Sequence, residues 1–176
     1  MTPVDRLYQE AQDVIAALGT SEPSLVVSAS DNFRKALLMA AASYFEHRIT
    51  SCVAEFVQEK AAGSTLVVAF VKNKAIARQY HTYFKWDAAN ANQFFGLFGA
   101  EFGAMMQARV RESDELRDAV RAFLEVGNER NKLVHQDYAT FALEKNLDEV
   151  YASFQVALRF VNSLANHLRD CPAAAA

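Results

Sequence analysis

Apolar residues recur along this chain at spacings of three and four with polar residues between them, the period of helices packed on one side. Val4, Leu7, Tyr8, Ala11, Val14, Ile15 and Leu18 form the first such stripe. Thr2 in front of it is a good N-cap, and Pro3 suits the first helical position. A helix is therefore expected from there to Gly19, followed by a loop over 20–24. A longer helix is expected from about Asp31 to Ala62, capped by Ser30 or Asp31 and stopped by Gly63. Its stripe runs through Phe33, Leu37, Ala41, Tyr44, Phe45, Ile49, Val53 and Phe56.

Leu66 to Val71 has the β-propensity of a buried strand. A lone strand would have no partner here, and Lys72 to Arg78 favours helix, so 64–79 is read as helical. The stretch from Tyr80 to Asn92 is an aromatic connector with Tyr83, Phe84 and Trp86. A helix from about Ala91 to Arg111 presents Phe94, Phe95, Phe98, Phe102, Met105 and Met106. Ser113 caps the next helix, with Asp114 and Glu115 in the first turn, where acids suit the helix dipole. Its stripe is Leu116, Val120, Phe123, Leu124 and Gly127, extended by Asn131 and Val134. The last helix runs from about Leu147 to Leu168. The pattern thus predicts an all-α bundle of about six or seven helices in one domain over residues 1–170, with 171–176 a loose C-terminal tail.

Composition narrows the picture. Hydrophobic residues make up 52% of the chain, which argues for a packed core and against disorder. Six glycines and three prolines are too few for the many turns of a sandwich or barrel. A net charge of −3 leaves no broad basic face, so any nucleic-acid contact is expected to be small and local. Cys52 and Cys171 make no disulfide framework, which makes a reducing cytoplasm the expected location. The N-terminus lacks the basic and apolar regions of a signal peptide. No apolar run approaches the roughly 18 residues of a membrane span, and no membrane role is expected.

The chemistry is narrowed by what is missing. No Gly-rich phosphate loop, nucleophile elbow or zinc-spaced Cys/His pattern is present. No metal site and no cofactor is expected. His47, His81 and His167 read as surface or partly packed histidines. His135 differs because of its company. Asn131 lies on an apolar stripe, where an amide is costly unless hydrogen-bonded, and His135 follows four residues later on the same face. Arg130 has the reach to curl back toward both. Histidine moves protons near neutral pH, arginine grips a phosphate with two hydrogen bonds, and asparagine can orient either partner. On the residues alone, the competing account is a plain helix cap, with Arg130 in a surface ion pair and Asn131 bonded to backbone.

Arg130-Asn131-x-x-x-His135, at the end of a late amphipathic helix with another helix after it, resembles the Arg-x4-6-His motif of HEPN domains. Trp86-Asp87-x-x-Asn90-x-Asn92-x-Phe94-Phe95-x-x-Phe98-Gly99 and Ala42-Ser43-Tyr44-Phe45-Glu46 are similar to the RiboL-PSP and related HEPN subfamilies of bacterial defence systems. The resemblance spans roughly residues 30 to 169. It implies a HEPN-like helical bundle that homodimerises and brings two motifs into a shared cleft. It also implies a metal-independent endoribonuclease of toxin–antitoxin or phage-defence type, with RNA as substrate and an antitoxin or defence-system partner. Arg130 and His135 would be the catalytic pair, supported by Asn131, by Glu46 on an earlier helix and by Tyr138. Some HEPN toxins carry a modifiable tyrosine two residues after the histidine. Here that position is Asp137 and the tyrosine is Tyr138, a shift that departs from the pattern. The alternative is a non-catalytic HEPN module that binds a nucleotide or a partner protein.

Overall fold

The computed structural model describes residues 1–171, so the expected tail over 172–176 lies outside the described residues. Among those described, eight helices and no strand are found, and six of the helices have seven residues or more. This is the all-α bundle that the apolar pattern predicts.

The first helix, α1 (Pro3–Ser21), begins as its sequence dictates. The Thr2 hydroxyl accepts from the Asp5 N–H at 3.1 Å, and the Asp5 carboxylate accepts from the Thr2 N–H at 2.6 Å. These reciprocal bonds satisfy donors that the first turn would otherwise leave open. Gly19 does not end the helix. It runs to Ser21, and Glu22 alone separates it from α2 (Pro23–Lys60). The loop over 20–24 and the cap at Ser30 or Asp31 are thus replaced by a tight junction, because Pro23 supplies a ready first turn for α2. That helix has 38 residues, about 57 Å at 1.5 Å per residue. It buries Leu37, Leu38, Ala41, Phe45, Ile49 and Val53, and it ends three residues short of Gly63.

Leu66 to Val71 is helical, as α3 (Thr65–Val71), and the chain then loosens into a π-helical turn at Lys72–Ile76. The aromatic connector contains the short α4 (Tyr80–Tyr83). The single helix expected from Ala91 to Arg111 is broken into α5 (Asn92–Gly96) and α6 (Ala100–Glu112). The break falls at Gly99, whose φ of 99° is open to glycine and strained for other residues.

The bundle is completed by α7 (Asp114–His135) and α8 (Leu147–Asp170). Ser113 caps α7 as expected, accepting from the Leu116 N–H at 3.1 Å. Asn146 and Glu149 form a second capping box at the start of α8. The core lies where α2, α7 and α8 meet, with α1 laid across α2 and α8. Phe45 stacks on Phe154 at 5.2 Å between ring centroids, and Phe123 meets Phe160 edge-on, also at 5.2 Å. The Tyr8 ring stacks on Tyr151 at 3.8 Å, tying α1 to α8. Val134 is exposed and Leu133 takes the buried place in the last turn of α7. A second buried line, Ala119, Val126 and Leu133, runs along another face of α7, and a single stripe drawn along the helix misses it. No described helix is long and apolar enough to cross a membrane.

Candidate functional site

The C-terminal third of α7 faces a cleft of about 630 Å³. Gly127, Arg130, Asn131 and His135 form one wall, and Ala42, Phe45 and Glu46 of α2 form the second. The third is Arg78, Tyr80, His81 and Trp86, from α4 and the residues on either side of it. Helix geometry places the first group. Gly127, Asn131 and His135 are four residues apart, so they stack along one face.

Arg130 and Asn131 are half-buried, and His135 is exposed at the cleft mouth. The Arg130 guanidinium donates to the Asn131 side-chain oxygen at 3.2 Å. This bond stands in place of the surface ion pair and backbone bond of the plain-cap account. It holds the guanidinium toward the cleft and satisfies an amide that would otherwise lie unpaired beside the core. After His135, the Gln136 N–H closes the helix on the Lys132 carbonyl at 3.0 Å.

Glu46 of α2 lines the same cleft as Arg130 of α7, and so does Tyr80. Burial raises the pKa of its phenol, the Glu46 carboxylate adds to that, and Arg130 works against it. The phenol therefore stays protonated at neutral pH and is available as a donor. Tyr138 is not part of the cleft lining. Its ring lies 5.2 Å from the Lys35 ammonium, and its carbonyl accepts from that ammonium at 3.1 Å. Lys35 is buried at 2% exposure and also pairs with Asp31 at 2.7 Å. It therefore ties the segment following His135 down onto α2.

The third wall owes its position to several bonds. The Trp86 indole N–H donates to the His81 carbonyl at 3.1 Å, Gln93 donates to the Thr82 carbonyl at 2.7 Å, and the Tyr83 hydroxyl donates to the Ala75 carbonyl at 2.7 Å. Arg78 has φ of 60°, a left-handed conformation that costs a non-glycine residue about 1–2 kcal/mol. Sequence reasoning missed Arg78 and Tyr80 as site residues and placed His81 among ordinary surface histidines. The available signal was the basic–aromatic run Arg78-Gln79-Tyr80-His81 inside an otherwise aromatic connector.

A second cleft, of about 480 Å³, lies between α6, α7 and α8. There Arg109 donates to the His167 Nδ1 at 2.6 Å, and Asp170 pairs with Arg109 at 3.3 Å. Burial lowers the His167 pKa, Arg109 lowers it further, and Asp170 opposes them. Among the described residues, no three His, Cys, Asp or Glu side chains gather as a metal site.

The cleft is lined by two guanidiniums, Arg130 and Arg78, by two imidazoles and by several aromatic rings, a lining suited to an anionic group. A family model described as RiboL-PSP-HEPN matches residues 5–170, a span that takes in α1 as well as all three walls of the cleft. No curated protein and no solved structure matches the chain.

Proposed function

The chain belongs to the RiboL-PSP-HEPN family, and from that premise we propose that it is an endoribonuclease of the bacterial toxin or defence type. The observation that carries this reading is that Arg130, Asn131 and His135 open together on a cleft that also receives Glu46. In the proposed reaction the 2′-oxygen of RNA attacks the adjacent phosphorus while the bond from phosphorus to the 5′-oxygen breaks. The products are a 2′,3′-cyclic phosphate and a 5′-hydroxyl. His135 transfers a proton in this step, and the Arg130 guanidinium stabilises the charge that builds on the phosphoryl oxygens. Asn131 fixes the direction of Arg130 through the bond it accepts. Glu46 contributes a carboxylate to the same cleft from α2.

The proposed active form is a homodimer in which two such clefts meet. Val134 and Tyr138, apolar and more than 40% exposed on either side of His135, supply a surface for that contact. The Lys35 tether holds the Tyr138 segment in place for it. Purified protein incubated with labelled RNA in the presence of EDTA, beside His135→Ala, is the direct test. Cleavage that persists in EDTA and disappears in the variant supports the reading.

The second reading, a binding module for a nucleotide or partner protein, draws on Tyr80 and Trp86 in the cleft wall. Their rings offer a stacking surface for a base. Saturable nucleotide binding without turnover of any RNA would favour it.

A further inference from the structure

Breaking RNA by attack of its 2′-hydroxyl requires two proton movements in one step. A base takes the proton from the 2′-oxygen, and an acid gives one to the departing 5′-oxygen. His135 can fill one role in a given turnover, so a second group is needed. In a shared dimeric site that group would be the histidine of the second copy.

The cleft of a single protomer already contains another imidazole. His81 lies on the wall facing α7, three residues beyond Arg78, and both line the same cavity as Arg130 and His135. The two walls thus repeat one pairing of arginine with histidine, once on α7 and once on the segment entering α4. The placement is built into the fold. Trp86 packs where Gly127 has no side chain, and its indole N–H holds the His81 carbonyl. The His81 side chain is left exposed and faces the cleft. Arg78 is held in a left-handed conformation, a cost that folded chains bear where the surroundings over-determine it, often at functional sites. The other titratable groups on the cleft are Glu46 from α2 and the Tyr80 phenol, and neither is an imidazole that exchanges protons near neutral pH.

We propose that His81, within each protomer's own cleft of the dimer, is the second proton-transfer group of this site and that Arg78 binds the phosphate together with Arg130. The inference rests on the endoribonuclease reading. In the balanced step the 2′-O–P bond forms, the P–O5′ bond breaks, one imidazole gains the 2′-hydroxyl proton, and the other protonates the 5′-oxygen. Water then returns both histidines to their starting states.

The test uses the intact protein and two substrates, an ordinary RNA and the same RNA with sulfur replacing the 5′-oxygen at the cut site. A thiolate leaves without a proton, so loss of the acid is bypassed on the sulfur substrate, whereas loss of the base is not. His81→Ala and His135→Ala should each lower cleavage of ordinary RNA by about 10²–10⁴-fold. The sulfur substrate should restore cleavage in one of these two variants and not in the other. Arg78→Ala should lower kcat/KM by about 10²-fold on both substrates. His81→Asn, with circular dichroism and melting temperature for every variant, separates loss of function from loss of fold. Wild-type protein inert toward RNA removes the endoribonuclease reading itself. An active wild type with His81→Ala at the wild-type rate overturns this inference alone and returns the second proton transfer to the partner copy. Equal loss in both histidine variants without rescue in either also overturns it.

Discussion

Trp86 packs against Gly127, and a Cβ on that glycine would overlap the six-membered ring of the indole. The contact joins the aromatic connector to α7 one helical turn before Asn131. Gly127 lies on the apolar stripe of α7, and the group its missing side chain admits is this one indole. Gly127→Leu should overpack the site, costing about 1–3 kcal/mol, and Gly127→Ala should already lower the melting temperature. Because Trp86 also holds the His81 carbonyl, Gly127→Ala should lower RNA cleavage as well. An unchanged melting temperature in both variants would show that Trp86 can leave this position freely.

If the chain is the proposed endoribonuclease, the α7 motif should give a graded set of effects on RNA cleavage. His135→Ala should reduce the rate by about 10²–10⁴-fold with fold intact. Arg130→Lys should also fail, since lysine retains the charge and loses the two-pronged grip. Asn131→Ala should fall between wild type and these two, because Arg130 loses its 3.2 Å partner and keeps its charge. A substrate with a 2′-deoxy sugar at the cut site should resist cleavage, and its cleavage would rule out 2′-oxygen attack.

Light scattering at micromolar concentration should give the mass of a dimer. Replacing the exposed Val134 by Glu should shift the mass toward the monomer, since this places like charges against each other across a two-fold contact. A monomeric wild type would exclude the shared cleft.

Lys35 is a buried cation with two partners, Asp31 on its own helix and the Tyr138 carbonyl beyond α7. Lys35→Ala leaves the Tyr138 carbonyl without its donor, while Asp31 keeps Arg34, and should cost about 1–3 kcal/mol. Hydrogen exchange should quicken across 137–141, where Asp137 accepts from the Thr140 and Phe141 N–H groups. Exchange that stays unchanged there would mean the loop is held by Phe141 and Leu143 alone.

His167 sets a pH dependence remote from the proposed chemistry. Its folded pKa is lowered, by burial first and by Arg109 second, so the unfolded chain binds the proton more readily. The stability it contributes is therefore complete above the ordinary imidazole value of 6.5 and is lost as pH falls through that value toward the lowered one. Denaturation midpoints measured at about pH 7.5 and about pH 5.5 should differ more for wild type than for His167→Gln. Equal differences would show that His167 protonates freely in the folded state.

Much of this molecule was determined by relations between residues near one another in the chain. Thr2 with Pro3, and Ser113 with its following acids, mark where α1 and α7 begin, because a cap needs only a side chain within reach of the next turn. The stripes of α2 and α8 follow from the helical period. Asn131 and His135 share a face for the same reason, and so the α7 wall of the cleft was legible in the sequence itself. Glu46 was reached through family resemblance, since nothing in local spacing brings α2 to α7. What the tertiary structure alone decided has partners distant in sequence or backbone that leaves the helical period. Lys35 reads as an ordinary helix-surface cation until Tyr138 is seen to close over it. Val134 reads as apolar and inward until α7 is seen to have neighbours on two sides, which puts Leu133 inward instead. Arg78 and His81 lie just beyond a π-helical turn, and Arg78 is itself left-handed, so no continuous 3.6-residue repeat directs their side chains. Their approach to Arg130 and His135 depends on non-local contacts, among them the packing of Trp86 onto Gly127, and these become visible only when both ends of each contact are placed in space.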